Sequence, residues 1–487
     1  MRILTPVLTL GLAAALAACG DVPTIPYSRL SAVGFSLYNQ DEQAVTLQTV
    51  SLEGLFDAEP GVTRMDGDLH WRLHRAAANL GLETAVDEAM ALNPPDDPTL
   101  ACPVAGQAGW TEAVLANLAG VDETGRTALR NAVAEQPPLC GKGEGAVRSL
   151  LEERFGAVAR NKALNRFRRG WIVEADLAWI RQQGFSGVRV PLAWDSLLLS
   201  SALVEPGDLA WDPDALAILD NLVDACHYLR LYVVLALVSA PGGPGGVYDN
   251  TDLADLTAQW WSVLAKRYAG REGMAAYELL ASATPGSAQA RDELYDHLVA
   301  TVRAQDQKVI CVVEDGGLGV DTLPTPGRRG WTNIAFAFRP DRAALPGMPG
   351  SVATLGGQVL PPVMTAAATS SMPAFLNGLS LTRRDEDAYA DMAGATLLLN
   401  ENGVSWCLAS YKVPDDHLAA SLWEIQTGQG VRHRLEGAPS WPDLYNDSLE
   451  TLLTAMDAYR ELAVWPDPAL LAALRFPLPS DETDDNR

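Results

Sequence analysis

The sequence predicts an α/β chain closed as a (β/α)8 barrel, with a short N-terminal β-hairpin and a long insertion after the first barrel strand. Eight short apolar runs recur along the chain, and most are separated by segments whose apolar residues fall at helical spacing, the rhythm of buried parallel strands and their crossover helices. The 487 residues, 48% of them hydrophobic, can bury one large core with appendages. An open doubly wound sheet is the alternative fold, and no Gly-rich phosphate loop supports it.

Residues 20–34 (GDVPTIPYSRLSAVG) read as a proline-containing tether, and FSLYNQDEQAVTLQTVSLEG as a hairpin running into a first barrel strand at 50–55. Residues 61–148 form the insertion. Helical spacing follows over 150–168 and 174–183, then a strand at 187–192, a helix at 215–229 and a strand at 231–237. The alternation continues with helix 253–269, strand 275–280, helix 288–305, strands 309–313, 334–338 and 374–376, helix 385–400, strand 404–409 and a closing helix over 448–462. The barrel is thus expected over 35–475, followed by an acidic, solvated tail at 476–487 (ending SDETDDNR).

MRILTPVLTLGLAAALAAC at the N-terminus has a positive start, an apolar run too short to span a bilayer, and a small-residue stretch. Its end, Leu16-Ala17-Ala18-Cys19-Gly20, resembles the bacterial lipobox. That resemblance implies cleavage after residue 18, lipidation of Cys19, and export to the bacterial cell envelope on its periplasmic or surface side, with acyl chains worth ~0.8 kcal/mol per buried carbon holding the protein to a membrane. In such a compartment Cys102 and Cys140, both in polar Pro/Gly-rich sequence, are expected to form a disulfide. Cys226, Cys311 and Cys407 fall in apolar helical or strand runs and read as buried thiols. A formal net charge of −25 argues against nucleic acid as a partner. No CxxC or histidine cluster announces a metal, and no cofactor motif is present.

Five stretches in order, VTLQTVSLEGLFDAEP, WIVEADLAWIRQQGFSGVRVPLAW after LEERFG, LYVVLALVSAPGGPGG, QWWSVLAKRYAG with YELL, and GVSWCLASYK, resemble glycoside hydrolase family 5, the cellulase and exo-glucanase family. The resemblance runs from about Phe35 to the last helix and implies a retaining glycosidase with one glutamate at the end of strand four and another at the end of strand seven. Such chemistry needs two carboxyl groups ~5–5.5 Å apart. Where the family pattern places Asn-Glu-Pro after strand four, this chain has Ala281, Ser282 and Ala283. Gly378 stands where the strand-seven nucleophile is expected, and the family's floor tryptophan corresponds to Ala409. Glu278 precedes the expected position within its strand, where the family often carries a non-catalytic acid, and Arg189 survives from the pocket lining with a bracing role as its competing reading.

The expectation is therefore a tethered barrel without both catalytic glutamates, holding a glycan or an envelope protein. The alternative is an active β-glucan hydrolase with relocated acids: Glu314 and Asp315 at the tip of strand five, Asp195 after strand two, and Asp249 after strand three. Trp194, Trp331 and Trp406, at or near strand ends, are candidate stacking surfaces for sugar, with core packing as the competing reading. Among these, Arg189, Trp194, Asp195, Asp249, Glu314, Asp315 and Trp406 are the expected cleft residues. His417, beside Asp415 and Asp416, reads as an exposed residue near a helix cap rather than a general base.

Overall fold

In the computed structural model the described residues are 27–58, 69–93, 107–134, 143–414, 421–425 and 444–474, apart from the isolated positions 206, 244, 282–283, 340–341, 383–384, 462–463 and 467. Cys19, Cys102, Cys140, Ser282, Ala283, Asp415, Asp416, His417 and the acidic tail lie outside them.

Three short strands, β1 (Ser31–Val33), β2 (Ser36–Tyr38) and β3 (Ala44–Val45), pair antiparallel ahead of the barrel. Eight parallel strands then close on themselves: β4 (Gln48–Ser51), β5 (Gly187–Ala193), β6 (Tyr232–Ser239), β7 (Met274–Glu278), β8 (Ile310–Glu314), β9 (Ile334–Phe338), β10 (Ala374–Leu379) and β11 (Ser405–Leu408), with β11 pairing back onto β4. The (β/α)8 expectation holds. Side chains alternate between two layers, as the period of a strand requires. Tyr232, Val234, Ala276, Ile310, Val312, Phe375 and Cys407 fill the barrel, while Val188, Val233, Tyr277, Cys311 and Leu376 face the helices.

The insertion contains α1 (Leu69–Leu80), α2 (Glu83–Leu92), α3 (Gln107–Ala116) and α4 (Glu123–Ala134), which bury their own cluster around Leu73, Val86, Met90, Leu115 and Leu129. The helix expected at 150–168 is two helices, α5 (Gly143–Phe155) and α6 (Ala157–Trp171), divided at Gly156. Its φ of 83° is left-handed, a conformation glycine adopts at no steric cost. The remaining major helices are α7 (Glu174–Gln182), α8 (Pro213–Tyr228), α9 (Thr251–Tyr268), α10 (Ala288–Gln305), α11 (Leu360–Ser370), α12 (Glu386–Glu401), α13 (Leu449–Ala458) and α14 (Pro468–Leu474). Sequence reading missed α11, in which Pro361-Pro362 follow directly on a π-helical turn at Leu355–Val359. It also missed a small sheet of β12 (Ser410–Pro414), β13 (Ser421–Ile425) and β14 (Val464–Pro466).

Two features position the barrel mouth. Below it, β1–β3 and the preceding residues plug the N-terminal end: Leu30, Leu37, Val45 and Leu47 share a buried cluster with the barrel's interior, and the Tyr232 hydroxyl donates to the Ser28 carbonyl at 2.7 Å. Beside it, three buried arginines bind α5 and α6 to the loops after β4 and β5. Arg168 pairs with Glu144 and donates to the Leu55 carbonyl at 3.2 Å, while Arg148 lies 3.2 Å from Asp195 and donates to the Leu198 carbonyl at 2.9 Å. Arg160 donates to the Leu199 carbonyl and pairs with Glu152.

Close packing between β5 and β6 leaves no room at Gly187, where a Cβ would sit 2.5 Å from the Tyr232 carbonyl oxygen. Gly187→Ala is expected to cost about 1–3 kcal/mol as the two strands are forced apart, read as a lowered denaturant midpoint with an unchanged slope.

Candidate functional site

The C-terminal ends of the strands carry a buried polar layer. Arg189, inward on β5, donates to Glu278, the last residue of β7, through Nε at 2.7 Å and Nη2 at 3.1 Å. Asn377, inward on β10, donates its amide to the same carboxylate at 2.7 Å. Glu314, the last residue of β8, interacts electrostatically with Glu278 and lies 3.9 Å from Arg339. Ser410 donates to Glu53, in the loop after β4. Glutamates from the ends of strands one, four and five thus meet two arginines above the apolar barrel interior.

Burial by itself would raise the Glu278 carboxyl, but the Arg189 charge and its hydrogen bonds outweigh this and hold Glu278 below its ordinary value. Arg189 loses to burial and gains more from Glu278, ending above its usual range. Burial raises Glu53, partly offset by the Ser410 hydrogen bond and the two arginines. Beneath this layer the Cys407 thiol is pushed up to about 12 by burial, so it is a packing residue and not a nucleophile.

A cleft of about 440 Å³ opens beside this layer above β8 and β9, lined by Thr284, Glu314, Arg339, Gln358 and the Gly316-Gly317 turn among others. Phe338 contributes its one aromatic ring, 4% exposed.

Of the expected cleft residues, only Arg189 and Glu314 belong to the polar layer, Arg189 through its pairing with Glu278 and Glu314 beside Arg339. Asp315 borders the cleft but its carboxylate is occupied within the loop, accepting from the Gly317 and Gly319 amides at 3.2 and 3.0 Å. Asp195 is 4% exposed and is held by Arg148 in the brace under the insertion. Asp249 is exposed at the end of the one-turn helix Gly246–Asp249.

The tryptophan expectation is corrected. Trp406 points out of the barrel, where its indole donates to Asn400 on α12 at 3.1 Å and meets Phe185 edge-on; strand parity gives the inward position to Cys407. Trp194 is 8% exposed in the core beside Trp260, and Trp331 is 6% exposed with its indole donating to Asp296 at 2.8 Å. None offers a free face to a sugar.

Ala281 is buried after β7, donating its amide to the Leu237 carbonyl at 2.8 Å, and Ala409 is half-buried beyond β11. On β10 the inward polar side chain is Asn377, whereas Gly378 has a φ of 78° at a register shift and faces outward. Glu278 sits in its strand as the non-catalytic acid the sequence suggested, and Asn377 is the site residue that sequence reasoning missed. Counting inward positions back from the strand tips could have found it.

A family model described as Cellulase (glycosyl hydrolase family 5) matches residues 159–412, more than half of the chain. The chain belongs to glycoside hydrolase family 5. The matched family 5 region runs from α6 through β12 and so carries seven of the eight barrel strands and the whole Arg189–Glu278–Asn377 cluster. A curated relative, a beta-xylosidase from Phanerodontia chrysosporium, is 22% identical over 205 residues, which span 39% of this chain and 42% of that protein. Among solved structures, an endoglucanase from Thermotoga maritima aligns at 14% identity with a TM-score of 0.41, covering 48% of this chain and 81% of that one. A subfamily 4 endo-beta-1,4-glucanase of the same family from Bacillus licheniformis aligns at 15% identity with a TM-score of 0.41, covering 48% and 49%.

Among the described residues, no group of His, Cys, Asp and Glu is arranged to hold a metal ion, and no helix is long and apolar enough to cross a membrane.

Proposed function

We propose that this family 5 barrel is an exported, membrane-tethered protein that binds a saccharide at its mouth without cleaving it. One observation carries the reading: the carboxylate at the end of strand four, Glu278, is committed to Arg189 and Asn377 in the buried layer beside the cleft, and strand seven presents an amide, Asn377, in place of an acid. A retaining hydrolase needs an ionised nucleophile free to reach the anomeric carbon and a separate acid free to protonate the leaving oxygen. Here the inward carboxylate of strand four is already engaged by Arg189 and Asn377. Anchoring through Cys19 is part of the proposal, supported by the lipobox-like sequence.

Binding in the 440 Å³ cleft then rests on polar groups more than on stacking. Arg339, with its side chain 49% exposed, is the strongest donor there. Charge-assisted hydrogen bonds are worth about 1.5–3 kcal/mol, so Arg339→Ala is expected to weaken oligosaccharide binding by roughly 10- to 100-fold in calorimetry.

The decisive assay incubates the purified soluble domain with β-glucans, xylan and nitrophenyl glycosides. No release above background, alongside measurable binding, is the expected result. A second reading, an active hydrolase with Glu314 as a relocated acid, is favoured by that residue's place on the cleft wall. Sugar release that disappears in Glu314→Gln would establish it and overturn the proposal.

A further inference from the structure

We infer that the N-terminal face of the barrel, sealed by residues 27–47, is the surface that rests against the lipid bilayer, so that the cleft points away from the membrane. The inference rests on the lipid anchor at Cys19 proposed above and goes beyond it by assigning the face and the orientation.

Where the described chain begins is the first argument. Tyr27 lies at the N-terminal end of the barrel, between the end of α8 and the start of β6. Its ring packs 5.0 Å from that of Tyr232, the first residue of β6, and its hydroxyl is 3.2 Å from Nδ1 of His227 near the end of α8. The next residues are fixed to the same pole. The Ser28 amide donates to the Tyr232 hydroxyl at 3.2 Å, and the Ala32 amide donates to Asn333, just before β9, at 2.6 Å. Every one of these partners sits at or before the start of a barrel strand. The cleft, by contrast, is built from residues at or beyond the strand ends, Glu314 and Arg339 among them.

Length is the second argument. Eight residue steps separate Cys19 from Tyr27, and a fully extended chain covers at most about 3.5 Å per step, or about 28 Å in all. The flanking helices α9 and α10 each have 18 residues, so the barrel wall is about 27 Å tall at a rise of 1.5 Å per residue. To lay the cleft on the membrane, the tether would have to descend that full wall. Its whole extended length is consumed by the descent alone. The N-terminal face can approach the bilayer with slack to spare; the mouth cannot.

The test uses the full-length lipoprotein in vesicles of phosphatidylethanolamine and phosphatidylglycerol containing a headgroup-labelled acceptor lipid. A donor dye is carried on an azide-bearing residue placed, one at a time, at Lys308 or Glu401, both exposed before barrel strands, or at Asp249 or Leu203, both exposed in loops after strands. Energy transfer is expected to be several-fold greater at Lys308 and Glu401 than at Asp249 and Leu203. A 40-residue Gly/Ser segment inserted between Asp21 and Val22, with a mean span of about 35 Å, should bring the four positions close to equality. Equal transfer without the insertion, or greater transfer at Asp249 and Leu203, overturns the orientation while Cys19-dependent membrane recovery leaves the anchor standing. Protein that stays soluble whether or not it carries Cys19→Ala overturns anchor and orientation together.

Discussion

Arg189→Met is expected to destabilise the barrel by about 3–5 kcal/mol, because it leaves the Glu278 carboxylate buried with its cationic partner removed. Both side chains are almost fully buried, 6% and 1% exposed, and the pair is bidentate. Glu278→Leu should cost a similar amount for the converse reason. The double replacement should be far milder than the sum, since an apolar pair of similar volume avoids desolvating either charge. Chemical denaturation of the four proteins measures this coupling directly. Additive losses would mean that the two groups do not depend on each other.

The same pair sets a pH dependence. Glu278 has a folded value below its ordinary 4.5, so the native state binds a proton there less readily than the unfolded chain. Its stabilising contribution is fully present above pH 4.5 and is lost as pH falls through the lowered folded value. In Arg189→Met the lone carboxylate instead gains by taking up a proton, so the deficit should shrink on acidification. A deficit that stays constant between pH 7 and pH 4 would contradict this account of the charge.

Glu144→Ala is the second substitution with a large expected effect, again about 3–5 kcal/mol. Glu144 is 1% exposed on α5 and serves three partners: it pairs with Arg168, lies 3.6 Å from Arg148, and accepts the Ala58 amide at 2.9 Å. Its removal strips Arg168 of its paired carboxylate and leaves a buried amide unsatisfied. Glu144→Gln can keep the amide's acceptor while discarding the charge, and should fall between wild type and Glu144→Ala. Thermal melts combined with proteolysis across α5 and α6 would show the order; equal melting temperatures for all three would refute the brace.

Much of this fold is legible in the chain because parallel strands buried on both faces read as continuous apolar runs. YVVLALVS of β6 and ICVVE of β8 cannot easily be anything else. The helices after them announce themselves by spacing and caps, as where Asp212 accepts the Asp214 amide at the start of α8. Local exceptions escaped for local reasons: the left-handed turn at Gly156, and two prolines that follow directly on a π-helical turn at the start of α11.

The site was less legible. Sequence order brings Glu278, Ala281, Asn377 and Gly378 near the strand ends, but which side chains meet depends on the face each one takes and on register shifts such as that between Leu376 and Leu379. A one-residue change of phase reverses in and out. It moved Trp406 from the expected cleft into the helix layer and put Asn377 in the buried polar layer.

By itself, the sequence determined the barrel, the position of its insertion and the family to which it belongs, all of which follow from periodicity and motifs carried within short segments. Only the tertiary structure decided that Glu278 is closed by Arg189 and Asn377 and that residues 27–47 seal the pole opposite the cleft. Those outcomes depend on contacts between residues as far as 358 positions apart in the chain, and closure of the barrel is what turns such distant positions into neighbours.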